Sequence, residues 1–236
     1  MRRPLPSPRV LWETLRHLRF RQVRYRLVRH IFPRFLSYPF PLRWKETEPQ
    51  VNRAKNTSRV FFDGLNFCFN NESRVFTGDW NEPGVRKLWL YNLHYMTWLF
   101  DLEEGREDWI KRWIRENPPA QNGAGWDPYP LSLRLFNWCK HYSLAGLEPD
   151  SEVLASMGMH ISRLLSHLEF HLDGNHLLEN LLALVFAGSF LETANRRAAK
   201  ARNRIQTLLE AELSRQFLAD GGHYELSPMY HAIQTQ

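Results

Sequence analysis

The sequence predicts a mainly α chain of stacked helical hairpins, with a basic helical arm and a short irregular or β lead-in before them. Three observations carry this expectation. From Val85 onward, apolar residues recur at helical spacing in segment after segment, with short polar loops between. Segments 88–102 and 177–191 are apolar nearly all round, whereas 152–172 and 198–217 carry a single apolar stripe. Two grades of burial imply an inner and an outer layer of helices. With 236 residues, 43% of them hydrophobic and 14% aromatic, the chain can build a substantial core.

The elements follow in order. Residues 1–36 form the arm. Arg16, Arg19, Arg21, Arg24, Arg26 and Arg29 interleave with Leu15, Leu18, Val23, Leu27 and Val28. Such a helix can lie on a membrane surface or against a protein partner, or it can be a solvated helix packed by its apolar stripe; the sequence leaves both open. Residues 1–30 hold nine Arg against Glu13 alone, a net of +8, while the whole chain carries +6. The remainder is therefore about −2, so the basic character belongs to the arm and does not describe a nucleic-acid-binding face. Residues 37–84 hold Pro39, Pro41, Pro49 and Pro83, with short runs at 59–62, 66–69 and 74–77 that read as strands.

The third unit spans 85–236. Its first helix, Leu88 to Leu102, is expected to be buried. Glu107 to Glu116 is amphipathic and is stopped by Pro118 and Pro119. A Gly/Pro-rich loop, Asn122 to Pro130, leads into a helix over Leu131 to Leu144. Helices at Glu152–Leu172, Leu177–Leu191 and Ala198–Phe217 follow, the last broken by Asp220-Gly221-Gly222. Residues 85–236 accommodate roughly three to four helical pairs at about 40–50 residues each.

Several classes are excluded. No run of about 18 apolar residues predicts a membrane span, and the N-terminus has no apolar core of a signal peptide; a cytoplasmic location is the default. Cys68 and Cys139 stand far apart and form no redox or disulfide motif. His171 and His176 lack a metal-ligand spacing, so no metal and no cofactor is expected.

Two short segments concentrate chemistry beside strongly apolar sequence. In Gly174-Asn175-His176-Leu177-Leu178-Glu179-Asn180, Asn175 reads as a helix cap. Capping does not explain His176, Glu179 and Asn180 along the first turn, because polar groups are costly to bury without partners. His176 and Glu179, three residues apart, can pair. Near the C-terminus, Ser227 and Pro228 suit a helix start. That start would set Tyr230 and His231 in the first turn, where the helix dipole favours an ionised phenol. A tyrosine of ordinary pKa is a poor base, so it needs a lowered pKa or a relay through a neighbour; an aromatic cap contact is the other reading. A third segment places the loop residue Trp126 before Arg134 and Asn137, one turn apart on a helix. Arg134 suits bidentate recognition of a carboxylate or sulfate, or a hydrogen-bonded helix interface. Glu179 and Glu225 could also serve as paired carboxylates of a glycoside hydrolase.

The motifs WDPYPLSLRLFNW at 126–138, GNHLLENLLALVFAG at 174–188 and DGGHYELSPMYH at 220–231 resemble, in sequence and in order, the N-terminal helical domain of the heparinase II/III-type polysaccharide lyases. FTGDWN at 76–81 looks like that family's lead-in. The resemblance implies an incomplete (α/α) toroid. It also implies β-elimination on a uronate-containing acidic polysaccharide, heparin- or heparan-like or a bacterial exopolysaccharide, and a periplasmic setting. By motif match, Asn175 neutralises the uronate carboxylate and Tyr230 transfers the proton, while Trp126, Arg134, His176, Glu179 and His231 contact substrate. Relatives continue into further helices and a β-sandwich that supplies another catalytic histidine. The chain is thus read as a truncated N-terminal part, inactive by itself. The alternative is a non-catalytic glycan-binding fragment docked through its basic arm.

Overall fold

The computed structural model describes residues 25, 41–45, 62–63, 65–120, 123–172, 174–193 and 196–224, with only the backbone at 62–63 and 196–199. The basic arm lies outside these residues apart from Tyr25, whose ring stacks on Phe170 at 4.3 Å.

The lead-in supplies β1 (Arg43–Trp44) and an antiparallel meander of β2 (Phe62–Asp63), β3 (Asn66–Phe69) and β4 (Glu72–Val75). Asn70 and Asn71, with φ of 52° and 61°, form the tight connection between β3 and β4; two left-handed residues match the twist of a hairpin. Strand alternation buries Phe67 and Phe69. Phe67 meets Trp98 and Trp109 edge-on, and Phe69 meets Trp89, so the meander packs on the helices that follow.

Six α-helices dominate the described residues: α1 (Lys87–Tyr95), α2 (Arg106–Glu116), α3 (Pro128–Ala145), α4 (Ser151–Ser166), α5 (Gly174–Phe190) and α6 (Arg196–Gln216). The fold is mainly α, as the sequence predicts, and several helix ends move for identifiable reasons. The expected helix 88–102 divides at Met96, which is left-handed at φ 56°, and continues as a 3-10 turn over Thr97–Asp101. The Trp98 indole donates to the Leu93 carbonyl at 3.0 Å across this break. Helix α3 starts at Pro128 rather than Leu131, because first-turn positions need no amide partner and so accept proline. Gly146, at φ 64°, closes the helix. Helix α4 is capped by Asp150, which accepts from the Val153 amide at 3.0 Å. It ends at Ser166 rather than Leu172, leaving 167–172 as a compact turn.

Helices α1, α3 and α5 form an inner layer and run in the same direction. Lys87 at the start of α1 reaches Asp127 at the start of α3, and Asn137, further along α3, donates to the carbonyl of Tyr95 at the end of α1. Tyr129 and His176 meet near the starts of α3 and α5, whereas Phe136 and Phe186 stack further along. α2, α4 and α6 lie outside: α4 packs on α3 and α2, and α6 packs on α5. β5 (Leu191–Glu192) pairs with β1, and the Lys45 ammonium donates to the Gly188 carbonyl at the end of α5. The strand pair and this lysine close that helix.

Candidate active site

Because the inner helices are parallel, their N-terminal ends share one rim. Unpaired amides and the positive end of the helix dipole favour anions there. A row of half-buried rings runs from α1 to this rim at the starts of α3 and α5. Tyr91 lies 6.3 Å from Tyr95, Tyr95 lies 5.9 Å from Tyr129, and Tyr129 lies 4.6 Å from His176. Asp127 anchors one end of the row, accepting from the Tyr91 hydroxyl at 2.5 Å and pairing with the Lys87 ammonium at 2.8 Å. Burial, with Tyr129, Tyr91, Glu169 and Glu179 close by, raises the Tyr95 phenol far above its ordinary value and keeps it a hydrogen-bond donor.

The start of α5 supplies the other end. Gly174 adopts φ 54°, and its carbonyl accepts from the buried Gln216 amide at 3.1 Å. The helix already includes Gly174, so Asn175 is a first-turn residue and not its cap. Asn175 is half-exposed, and its carboxamide bonds no described residue. His176 does not take Glu179 as its hydrogen-bond partner. Its Nδ1 lies 3.2 Å from Oε2 of Glu169, which comes from the turn after α4. Glu179 is pushed up to about 7 by burial, with the His176 ring opposing that rise. Close to neutrality it is therefore divided between an acceptor and a protonated, donating form.

The other expected contacts fall elsewhere. Trp126 is buried, and its indole donates to the Asn117 carbonyl at 3.2 Å. Arg134 is wholly buried. It donates to His160 Nε2 at 2.9 Å, to the His94 carbonyl at 3.1 Å and to the Gly125 carbonyl at 2.8 Å. Its guanidinium carbon sits 3.6 Å from the Trp113 ring centroid. Neither side chain presents a surface to a ligand; both hold the Gly123–Trp126 loop against the core. Tyr230, His231 and Glu225 lie outside the described residues. The motif they belong to begins within them: His223 is buried, with Nε2 3.2 Å from Oε1 of the same Gln216 that holds Gly174. The start of the third motif is thereby tied to the start of the second. Among the described residues, no group of three or more His, Cys, Asp or Glu is arranged to hold a metal ion.

Sequence reasoning missed four residues of this cluster: Tyr91, Tyr95, Tyr129 and Glu169. Tyr91 and Tyr95 stand at i, i+4 on a helix read as uniformly buried, and Tyr129 lies between two prolines read as loop. Glu169, an acid between Leu168 and Phe170, falls within the expected helix Glu152–Leu172, which the structure ends at Ser166. A lone carboxylate flanked by apolar residues was the available signal, since such groups are rarely buried without a partner.

The family described as Heparinase II/III N-terminus matches residues 21–236. A curated relative, a heparin-sulfate lyase of Bacteroides stercoris, is 29% identical over 153 residues, which is 52% of this chain and 22% of that protein. Two solved structures are also similar. A heparinase III gene product with methylated lysines gives a TM-score of 0.47 at 21% identity, covering 66% of this chain and 30% of that one. A heparan sulfate lyase from Pedobacter heparinus gives 0.46 at 22% identity, covering 66% and 28%. This chain spans less than a third of the length of each relative.

Proposed function

The chain belongs to the heparinase II/III N-terminal family, and from that premise we propose that it forms the helical half of a polysaccharide lyase acting by β-elimination. The substrate is a uronate-containing acidic polysaccharide, either heparan-like or a bacterial exopolysaccharide. The observation that carries this reading is Asn175: a half-exposed carboxamide, unbonded by any described residue, in the first turn of α5 at a rim shared by three helix N-termini. A free amide donor beside converging dipoles is suited to a carboxylate.

The chemistry gives each group a task. The C5 proton of a uronate is barely acidic while the adjacent carboxylate keeps its charge. Asn175 donates to that carboxylate and stabilises the enolate-like species that follows proton removal. Glu179, pushed up to about 7, offers a proton to the same carboxylate in place of a repelling charge. The half-buried rings of Tyr91, Tyr95 and Tyr129 are assigned to sugar stacking, and His176 contacts the chain beside them. Tyr230, by motif match, takes the C5 proton, or gives its own proton to the leaving glycosidic oxygen as the C4–C5 double bond forms and the C4–O bond breaks, with His231 next to it. The arm, residues 1–36, is assigned to docking on a membrane surface or a protein partner.

The test is an ultraviolet assay for unsaturated uronate, on this chain and on the longest reading frame containing it, against heparan-like and bacterial acidic glycans. Asn175→Ala is expected to lower turnover by about 10²–10³ and Tyr230→Phe to abolish it, with glycan binding retained in both. Binding without turnover in the unaltered protein, indifferent to Tyr230→Phe, would establish a non-catalytic glycan-binding role in place of the lyase reading.

A further inference from the structure

We infer that Glu169 is a positioning residue that locks His176 in the tautomer carrying its proton on Nδ1, so that Nε2 is the ring nitrogen left to a ligand. The argument begins at a backbone amide, whose polarity is not in question. The Glu169 N–H donates to Oδ1 of Asn180 at 3.0 Å, which fixes the orientation of that buried carboxamide. Its Nδ2 then faces Ser132 Oγ at 3.0 Å and Glu169 Oε2 at 3.3 Å. Ser132 commits its own proton to the Pro128 carbonyl at 2.9 Å, so its oxygen is free to accept from Asn180. Glu169 Oε2 is therefore an acceptor, and a carboxylate has no proton to offer. The ring nitrogen 3.2 Å away, Nδ1 of His176, must be the donor. In the neutral imidazole that leaves a lone pair on Nε2, which bonds no described residue.

This arrangement has a cost that structure alone does not require. Glu169 is buried, at 5% exposure, and a buried carboxylate is tolerated only when its oxygens are satisfied. The relay of Pro128, Ser132, Asn180 and Glu169 joins the start of α3 to the start of α5 and ends on a half-exposed histidine beside Tyr129. A histidine used only for packing needs no fixed tautomer; one that must accept from a sugar hydroxyl, or take a proton, does. The functional part of the inference rests on the lyase reading, whereas the tautomer does not.

The test therefore has two arms. Protein labelled with 15N-histidine is examined by long-range 1H–15N correlation at a pH where His176 is neutral, with His176→Ala identifying its signals among the ten histidines. The expected result is protonated Nδ1 and bare Nε2 in the unaltered protein, and mixed tautomers in Glu169→Gln, whose amide can either donate or accept. Protonated Nε2 in the unaltered protein overturns the inference whether or not the variant folds. The second arm is a double-mutant cycle on turnover. Glu169→Gln is expected to slow the reaction about tenfold or more, and to have no further effect when His176 is already alanine. Equal losses in both backgrounds mean that Glu169 serves folding, and the positioning role falls. Turnover is measured on the longest reading frame containing this chain; if that protein turns over no acidic glycan, the lyase reading fails, and the first arm still decides the tautomer.

Discussion

At the scale of single residues, Arg134 shows how one side chain can be read two ways from sequence. Its spacing from Asn137 suits anion recognition, yet its guanidinium makes three buried hydrogen bonds and lies on the Trp113 ring. What decided between the two is the partner set, which comes from His94, Gly125 and His160, all distant from Arg134 in the pattern of the motif. The expected consequence is a folding defect. Arg134→Met strands two carbonyls and an imidazole acceptor and should cost about 3–5 kcal/mol. Arg134→Lys should recover little, because an ammonium cannot reproduce the planar fork. Urea denaturation checks both; a variant as stable as the parent, with weakened glycan binding, would return Arg134 to the site. Asn175, His176 and Glu179 were legible as a group because polar residues on a strongly apolar helix start need a reason. The partner of His176 was not legible, since Glu169 reaches it only through a turn whose path no periodicity encodes.

At the scale of elements, the helices and their two grades of burial could be read from apolar spacing, but their ends could not. The break at Met96 depends on tertiary contacts, including the Trp138 indole 3.3 Å from the Met96 sulfur, and α4 stops where the His167 ring bonds back to the Arg163 carbonyl and Glu169 turns toward α5. α6 ends at Gln216, one residue before the expected Phe217, and Gly221-Gly222 lies in the turn that follows, bridged between Phe217 and His223. Gln216 is the joint between elements. It donates to the Gly174 carbonyl and to Glu212, and its oxygen faces His223. Gln216→Leu should cost about 2–3 kcal/mol by leaving these buried groups unpaired. More tellingly, it should raise hydrogen exchange across 174–180 ahead of the rest of α5, because the N-terminal end of α5 loses its tether. Uniform exchange along α5 in that variant would show that the start of the helix is held by other contacts.

At the scale of the whole molecule, the buried histidines predict how the fold responds to acid. Burial, reinforced by the Arg134 charge, pushes His94 down to about 3, and burial with the Arg106 charge pushes His141 down to about 4. Burial first, then Arg134, holds His160 well below its ordinary value. Each is neutral when folded and takes up a proton near 6.5 once unfolded. Their contribution to stability is therefore present above about pH 6.5 and is lost as pH falls toward their folded values. Glu179 has the opposite sign: its raised value withdraws stability as pH rises from 4.5 to about 7, so acidification restores some. At about 1.4 kcal/mol per pH unit for each group, three histidines lose on the order of 6 kcal/mol between pH 7.5 and 5, and Glu179 returns about 2. A net loss of about 4 kcal/mol is expected in urea denaturation across that range. His141→Phe isolates the cause. Neither ring nitrogen of His141 has a hydrogen-bond partner among the described residues, so the substitution should be neutral or stabilising at pH 7.5, and it should reduce the histidine share of the acid loss by about a third. If stability stays flat from pH 7.5 to 5, unfolding takes up no net protons over that range; if His141→Phe leaves a measured slope unchanged, the uptake lies on other groups, and either result removes the buried imidazoles as the cause.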